Sequence, residues 1–319
     1  MSLYTNIFRQ SLKTTFHNKY LWLFGFFATL FGGNIELDLF NGIINKTNLF
    51  WQSGKFTNAG LFGSEMFGNL KASVFNSDLI IIIFFFLCLV AVIIVISTIS
   101  QVGVINNTTD FIEKNEKTTL KIGVKAGMNH FWPVVVLNII SKVIVFVLLG
   151  IAFLPLVNTM ENSSWGSNIL FIILFLIVSI IVIALSFIIK YISGYIVVYS
   201  QRFRDAVVSG WKLFIQHWLI SIEMGFMVFF ISVFVSFLII MLISIVAIPL
   251  ALLTSFATAY LSVQSFIIMY WLRFVISLAI FVVGGAMLTT FVISVWTALF
   301  LKLNKSGGES KLMRIVSKF

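Results

Sequence analysis

Apolar runs that are too long for a soluble protein recur along the whole chain. The run from Leu79 to Ile105, which begins LIIIIFFFLCLVAVIIVIS, contains no charged residue. As an α-helix it would be about 40 Å long, which is enough to cross a hydrocarbon core of about 30 Å. A helix also satisfies the backbone hydrogen bonds of such a run without water. The sequence therefore predicts an all-α integral membrane protein.

We expect six transmembrane helices, paired as three hairpins. The first, Tyr20–Gly33, is short and is extended in part by the residues before it. A basic start before a short apolar run is also typical of a cleaved signal peptide, but the internal repeat described below favours a first span. The other predicted spans are Leu79–Ile105, Pro133–Val157, Asn168–Ser200, Trp218–Leu253 and Trp271–Leu301. Polar connections are expected over Asn106–Asn115 and Thr254–Gln264.

The composition agrees with a membrane protein. Hydrophobic residues make up 60% of the chain and charged residues 10%, whereas a soluble domain is roughly 45–50% apolar and about 25% charged. The chain has one cysteine, Cys88, which excludes an intramolecular disulfide and a cysteine-based metal site. We interpret Cys88 as a small buried apolar residue.

The basic residues predict how the six spans are oriented. Membrane proteins keep an excess of Lys and Arg on the cytoplasmic side, and six spans place both termini on the same side. That side would carry Arg9, Lys13, Lys19, Lys114, Lys117, Lys121, Lys125, Arg202, Arg204, Lys212, Lys302, Lys305, Lys311, Arg314 and Lys318. The other side would carry Lys46, Lys55, Lys71 and Arg273. We therefore expect both termini in the cytoplasm. We also expect the basic residues behind the net charge of +10 to contact anionic lipid headgroups on that side and not nucleic acid.

Short amphipathic segments precede the odd-numbered spans. Aligned on Lys13, Lys125 and Lys212, they read SLKTTFHNKYLW, GVKAGMNHFWPV and GWKLFIQHWLIS. Each has a small residue two positions before the lysine, then an Asn, His or Gln pair, then aromatic residues that enter the span. We name these segments the elbows: Ser11–Trp22, Lys117–Trp132 and Arg202–Trp218. They predict one membrane domain of three elbow-and-hairpin units, 1–106, 107–200 and 201–301.

Two segments lie outside these spans and elbows. Residues 34–77 form a predicted extracytoplasmic loop rich in Asn, Gly and Phe. A structural cap is the interpretation that we prefer for it, and a ligand-binding loop is the alternative. Residues 302–319 form a predicted basic cytoplasmic tail.

The third elbow shows why these segments suit a membrane surface. The apolar residues Phe203, Val207, Trp211, Phe214 and Trp218 are spaced by three or four positions along one helical face. The polar residues Arg202, Asp205, Ser209, Lys212 and Gln216 follow the same spacing on another face. Such a helix can lie in the headgroup region with its cations toward phosphate. Gly123, Gly127 and Gly210 would let the elbows approach other helices closely.

Each elbow contains one of the three histidines, His17, His130 and His217. A polar side chain at such a corner can bond backbone groups where the chain turns into the bilayer, and we expect this structural role. A shared metal site and a pH-sensing role are the alternatives. The spacing offers no local pair such as His-x3-His, so no metal ligand is predicted.

Three charged residues fall within predicted spans: Lys142, Lys190 and Glu223. A charge at the bilayer centre costs roughly 2.5–3.5 kcal/mol on insertion scales, so such residues are paired, face water or have a function. We predict that Glu223 pairs with Lys142 or Lys190. A packing ion pair, a site for proton- or ion-coupled passage of a substrate, and lysines that extend to the interface without a partner are the three interpretations.

Motifs for catalysis are missing from the sequence. It contains no P-loop, HExxH, GxSxG or DxD-type carboxylate cluster. Hydrolysis would need a nucleophile, a base or a metal site, and no such constellation is present. We therefore predict no catalytic residues, no metal and no cofactor.

The run RFRDAVVSGWKLFIQHW before a span, together with LWLFGFFATLFGG after a basic N-terminal segment, resembles a type of prokaryotic membrane protein. The resemblance is to the membrane domain attached to some glycerophosphodiester phosphodiesterases and to related stand-alone proteins of unknown function. It rests on Asp205-Ala206, Trp211-Lys212 and His217-Trp218. It implies a bacterial or archaeal cytoplasmic membrane protein. The phosphodiesterase domain has no counterpart in this sequence, so the resemblance does not imply hydrolysis.

These observations lead us to expect a non-enzymatic protein that binds lipid or a membrane-protein partner in envelope physiology. The alternative is a transporter or flippase that uses the region of Lys142, Lys190 and Glu223. A third possibility is a membrane-embedded enzyme that acts on lipid headgroups.

Overall fold

The computed structural model describes residues 3–31, 77–114, 118–161, 165–260 and 263–306, and these are almost wholly helical with no β-strand among them. In this part of the chain the helices are α1 (Leu3–His17), α2 (Leu21–Phe31), α3 (Ser77–Lys114), α4 (Leu120–Asn129), α5 (Phe131–Glu161), α6 (Trp165–Val198), α7 (Phe203–Gln216), α8 (Trp218–Tyr260) and α9 (Val263–Ser306). The all-α class predicted from the sequence is confirmed.

Five of these helices are long and apolar enough to cross a membrane. The candidate spans are Ile83–Lys114, Phe131–Ala152, Ile169–Val198, Trp218–Phe256 and Ile267–Lys305. They are consistent with a multi-pass membrane protein. The described part of the first predicted span, Tyr20–Gly33, contains the 11-residue helix α2. A helix of this length is too short to cross a membrane alone. The last two residues of the predicted span lie outside the described part of the chain.

Helices continue through two segments where the sequence predicted connections. Helix α3 runs through Asn106 to Lys114, and α8 continues through Thr254 to Tyr260. Some polar residues in these segments bond within the protein: the hydroxyl groups of Thr108 and Ser294 lie 3.1 Å apart, and Thr254 Oγ1 donates to the Leu250 carbonyl at 2.6 Å. Pro249 also lies inside α8. Helix ends do fall within both predicted connections, at Lys114 and at Tyr260, but the connections start later than predicted because polar residues were taken to be exposed.

The described residues fall into two compact units. The first comprises Met1–Gly32, Ser97–Ser141 and Phe187–Phe319, and the second comprises Gly33–Ile96 and Lys142–Ser186. These boundaries cut across the predicted units 1–106, 107–200 and 201–301, because α3, α5 and α6 each contribute to both. The predicted loop 34–77 lies outside the described residues except for Ser77. Within the predicted tail 302–319, α9 extends to Ser306.

In the first unit the short helix α2 is enclosed by longer helices. Leu21, Phe24 and Val104 form an apolar cluster against Tyr20 and Ile293. Hydroxyl groups of the neighbouring helices donate to the backbone of α2: Thr290 Oγ1 to the Leu21 carbonyl at 3.0 Å, and Ser97 Oγ to the Ala28 carbonyl at 3.1 Å. Gly25 lies so close to α9 that no side chain fits between them. Helix α9 also packs along α1 and α8.

The second unit presents apolar side chains outward. Its core cluster consists of Ala152, Val178 and Val182, whereas Phe84, Phe85 and Phe86 are all exposed. Large exposed apolar surfaces on long helices are those expected to meet lipid. Cys88 is exposed on this surface, so the prediction that it is buried was wrong.

Candidate functional site

The three elbows turn at equivalent positions of their alignment. The corner residues are Asn18, His130 and His217, and each donates its backbone N–H to the carbonyl four residues earlier. The N–H to carbonyl distances are 3.2 Å to Thr14, 3.1 Å to Ala126 and 3.1 Å to Leu213. All three corners lie in the first unit. The first helix of each elbow therefore ends at the same place in the alignment, whereas the next helix begins two positions later in the first elbow than in the other two.

The small residue of each elbow faces the protein. Ser11, Gly123 and Gly210 are all buried. A Cβ atom on Gly210 would lie 2.7 Å from Cγ1 of Ile192 and 3.0 Å from its backbone nitrogen. A Cβ atom on Gly123 would lie 2.8 Å from the Asn107 side-chain nitrogen. A small residue is needed here because the elbows pack against other helices with almost no space between them.

The opposite side of each elbow is exposed and has the same chemistry three times. The lysines Lys13, Lys125 and Lys212 are exposed at equivalent positions. Beside each lysine lies a pair of exposed apolar side chains four residues apart. These pairs are Leu12 and Phe16, Val124 and Met128, and Trp211 and Ile215. We call each lysine with its apolar pair an elbow face.

The structure shows which side of the third elbow packs against the protein. The buried residues of α7 are Ala206, Gly210 and Leu213. Trp211, which belongs to the apolar face described from the sequence, is 55% exposed. The physical reason is that α7 lies very close to Ile192. Only small residues fit on the side of α7 that contacts Ile192, so the large side chains lie on the exposed side. Asp205 is exposed in the first turn of α7, where an acidic side chain interacts favourably with the helix dipole.

The elbow histidines have different surroundings. The His130 ring contacts the Ala126 carbonyl through Nδ1 and the Ser200 hydroxyl through Nε2, both at 3.2 Å. The ring of His17 lies 5.9 Å from that of Phe111. Among the described residues no three of the His, Cys, Asp and Glu side chains are grouped as metal ligands.

Burial at the third corner lowers the pKa of His217 from its usual value near 6.5. The folded protein therefore favours the neutral imidazole, and the stability that this gives is present above about pH 6.5 and is lost as the pH falls through the folded pKa. We expect the Tm to fall between about pH 7.5 and about pH 5.0, and to fall less in His217→Gln. The control is His17→Gln, which changes an exposed histidine and should follow the wild type. Equal losses of Tm in wild type and His217→Gln would contradict this prediction.

The three charged candidates lie in candidate spans but not all in one unit. Lys190 and Glu223 belong to the first unit and Lys142 to the second. Lys142 is exposed, whereas Lys190 and Glu223 are half-buried. The predicted pairing of Glu223 with Lys142 or Lys190 stays a prediction.

Glu223 accepts a hydrogen bond from the hydroxyl of Tyr4. Tyr4 is buried near the start of α1, and the same helix stacks Phe8 on Phe291 of α9 at 6.2 Å between ring centroids. No pattern in the sequence indicated that the Tyr4 hydroxyl would reach Glu223, which is 219 residues away. The N-terminal helix is therefore bonded to a carboxylate that lies within a candidate span.

Tyr4→Phe is expected to lower the free energy of unfolding by about 1–2 kcal/mol, because a hydrogen bond to a charged group is lost at a half-buried site. The measurement is a double-mutant cycle with Glu223→Met, which removes the acceptor at similar side-chain size, read from Tm in detergent. The two changes should be non-additive, since each removes the same interaction. Additive effects would show that Tyr4 and Glu223 are energetically independent.

Lys190 lies among aromatic side chains that the sequence did not identify. Its ammonium nitrogen is 4.3 Å from the ring centroid of Trp296 and 5.6 Å from that of Phe187. The two rings are 5.1 Å apart. Tyr191 packs on the edge of Trp296, and its hydroxyl lies 2.6 Å from Ser221 Oγ on α8. This aromatic cluster joins α6, α8 and α9, but no sequence pattern connects Trp296 with Lys190.

Comparison of the chain with protein-family models, with curated proteins and with solved structures gave no match.

Proposed function

We propose that this protein is a non-enzymatic integral membrane protein that binds anionic lipid headgroups through its three elbow faces. The observation that carries the proposal is the recurrence of an exposed lysine beside an exposed apolar pair, at equivalent positions, on helices whose other side is buried. The apolar pair would enter the headgroup boundary and the lysine would bind phosphate. The buried small residues hold each face in a fixed orientation.

We place all three elbows at the cytoplasmic surface of a prokaryotic cell membrane, with six spans and both termini inside. In this proposal α2 belongs to the first span, and each elbow precedes a hairpin as part of an internal repeat. The distribution of Lys and Arg and the three equivalent corner hydrogen bonds support it. The proposed relation to the membrane domain attached to glycerophosphodiester phosphodiesterases rests on the sequence resemblance alone.

Single-cysteine labelling tests this topology. In a Cys88→Ser background, Ser209→Cys should be protected from an impermeant thiol reagent added outside the cell, and Ser53→Cys should react. Reaction of both positions from outside, or of Ser209→Cys alone, would overturn the orientation. Permeabilised cells provide the control, since both positions must then react.

Native mass spectrometry of the detergent-solubilised protein tests lipid binding. We expect retained phosphatidylglycerol in preference to phosphatidylcholine. In the variant Lys13→Gln/Lys125→Gln/Lys212→Gln, the binding free energy of each phosphatidylglycerol should weaken by about 1 kcal/mol, which lowers the affinity roughly fivefold. The matched control Lys46→Gln/Lys55→Gln/Lys71→Gln removes the same charge from residues 34–77 and should retain wild-type binding. Equal binding by the two variants would overturn the role of the elbow faces, and retention of a protein subunit without lipid would favour a membrane-protein partner.

A transporter or flippase is the second candidate function. The specific observation in its favour is that Lys190 and Glu223 lie within candidate spans, where a charge is costly unless it has a function or a partner. The test measures the flux of protons and of lipid in proteoliposomes, with no other substrate added. Flux that Glu223→Gln abolishes would support transport, whereas the absence of flux above protein-free vesicles would oppose it.

A further inference from the structure

The first elbow differs from the other two in the position of its histidine. The fourth residue after the aligned lysine is His17 in the first elbow, Asn129 in the second and Gln216 in the third. All three of these residues are exposed. The corner, one position later, is occupied by Asn18 in the first elbow, and Asn18 is buried. The first elbow therefore has an imidazole ring on the exposed side of α1, about one helical turn after its lysine.

This imidazole and the lysine lie beside the same aromatic ring. The Lys13 ammonium nitrogen is 5.8 Å from the centroid of the Phe111 ring, and the centroid of the His17 ring is 5.9 Å from the same point. All three residues belong to the first unit. Side chains four residues apart are also neighbours on a helix surface. Phe111 on α3 therefore brings the ammonium group and the imidazole together at one place on the exposed side of the elbow.

Arg9 extends the basic side of α1. It is exposed one turn before Lys13, and α1 contains no acidic residue. Like charges that are four residues apart repel each other and weaken a helix. A row of Arg9, Lys13 and His17 in this spacing therefore favours an anionic ligand that offsets the repulsion.

The two carboxylates next to Phe111 in α3 are paired with other cations. Asp110 accepts from the Lys114 ammonium and Glu113 accepts from the Lys305 ammonium, both at 2.8 Å. Within the described part of the chain, no carboxylate forms an ion pair with the basic residues of α1. Their positive charge is therefore exposed to a ligand.

We propose that Lys13 and His17 bind the phosphomonoester headgroup of a lipid such as phosphatidic acid. This inference rests on the proposed function and names the lipid class that the first elbow prefers. A phosphomonoester carries about 1.5 to 2 negative charges at pH 7 and has three terminal oxygens, whereas the phosphodiester of phosphatidylglycerol has a single charge and two such oxygens. One phosphomonoester can accept from the ammonium and from the protonated imidazole together, and charge-assisted hydrogen bonds of this kind are about twice as strong as neutral ones.

The apolar neighbours of Lys13 indicate that the phosphate belongs to a lipid. Leu12 and Phe16 are exposed on the same elbow face. Apolar side chains can enter the boundary between headgroups and acyl chains, but they gain nothing from a free phosphomonoester such as glycerol 3-phosphate. The expected ligand is therefore a membrane lipid.

The test follows the His17 ring directly by NMR of detergent-solubilised protein labelled with nitrogen-15 histidine. The chain has three histidines, and the His17 signal is assigned by its loss in His17→Gln, which gives the first elbow the residue type of the third. Dihexanoylphosphatidic acid should move this signal saturably, with roughly tenfold higher affinity than dihexanoylphosphatidylglycerol or glycerol 3-phosphate. A His17 signal that dihexanoylphosphatidic acid does not move would overturn the proposal. Equal affinity for glycerol 3-phosphate would overturn the assignment to a lipid.

Native mass spectrometry separates this inference from the proposed function. In His17→Gln the preference for phosphatidic acid over phosphatidylglycerol should fall roughly tenfold. The matched control Gln216→Asn changes the equivalent exposed residue of the third elbow and should keep the wild-type preference. An unchanged preference in His17→Gln would overturn the inference. Failure of the proposed function is seen separately, as wild-type phosphatidylglycerol binding by Lys13→Gln/Lys125→Gln/Lys212→Gln.

Discussion

Alanine in place of Gly25 is expected to destabilise the protein by about 3 kcal/mol or more, at the upper end of the cost of overpacking a core. The added methyl group would overlap Thr290 Oγ1 and the backbone carbonyl oxygen of Ala286, and would lie 3.1 Å from the backbone nitrogen of Thr290. The threonine side chain can rotate, but the α9 backbone cannot move without separating from α2. The methyl group would therefore also disturb the hydrogen bond from Thr290 to the Leu21 carbonyl.

The measurement is the Tm of the detergent-solubilised protein followed by tryptophan fluorescence, together with the yield of monodisperse protein. A loss of about 3 kcal/mol corresponds to a Tm lower by roughly 6–12 °C. The matched control is Gly285→Ala on α9, where a Cβ atom meets nothing within 4 Å. Because alanine favours a helix over glycine by about 0.8–1.0 kcal/mol, the control should keep or raise the Tm. Equal Tm values for the two variants would contradict the close packing of α2 against α9.

This packing explains why the sequence predicted where α2 lies in the chain but not whether protein or lipid surrounds it. LWLFGFFATLF is apolar on every side, which correctly indicates burial in protein or lipid. Whether such a short segment crosses a membrane or is enclosed by protein depends on its neighbours. Here the donors Ser97 and Thr290, which bond its carbonyl groups, lie 69 and 269 residues away from them in the sequence.

The elbows show which part of a site local sequence can determine. The alignment on Lys13, Lys125 and Lys212 identified three corners, and the structure places a helix break at each of them. The direction in which each elbow faces was not predictable from α7 alone, because Trp211 and Leu213 are both apolar. The choice between them depends on the clearance beside Gly210, and that clearance is set by Ile192 on another helix.

The aromatic cluster was invisible to the sequence for a related reason. Lys190 stood out because a charge in an apolar run is rare, but one tryptophan among eight does not. Only the fold brings the Trp296 ring under the ammonium group and leaves its Nε1 without an acceptor in the described part of the chain. Long-range polar contacts such as those of Tyr4 and Trp296 follow from how helices are arranged, and periodicity within a helix carries no information about that arrangement.

Alanine in place of Gly127 is expected to release the second elbow from α3 while the spans stay folded. A Cβ atom at this position would lie 2.6 Å from Cγ2 of Ile99, 2.7 Å from its carbonyl oxygen and 2.9 Å from its Cα. Two of these three atoms belong to the backbone of a long helix and cannot yield. The short helix α4 must move instead, because 10 residues carry few other contacts and isolated helices of this length are marginal in water.

Hydrogen exchange of the α4 amides and limited trypsin cleavage after Lys121 and Lys125 measure this release. In Gly127→Ala we expect amide protection within α4 to fall at least tenfold and cleavage at both lysines to accelerate, with a smaller change of Tm than in Gly25→Ala. The matched control is Gly150→Ala, where a Cβ atom meets nothing within 4 Å. Phosphatidylglycerol retention should fall with the protection, because Lys125 and its apolar neighbours bind as a group only while the helix fixes their direction. Loss of protection with full lipid retention would show that headgroup binding needs the charge of the elbow and not its fixed orientation.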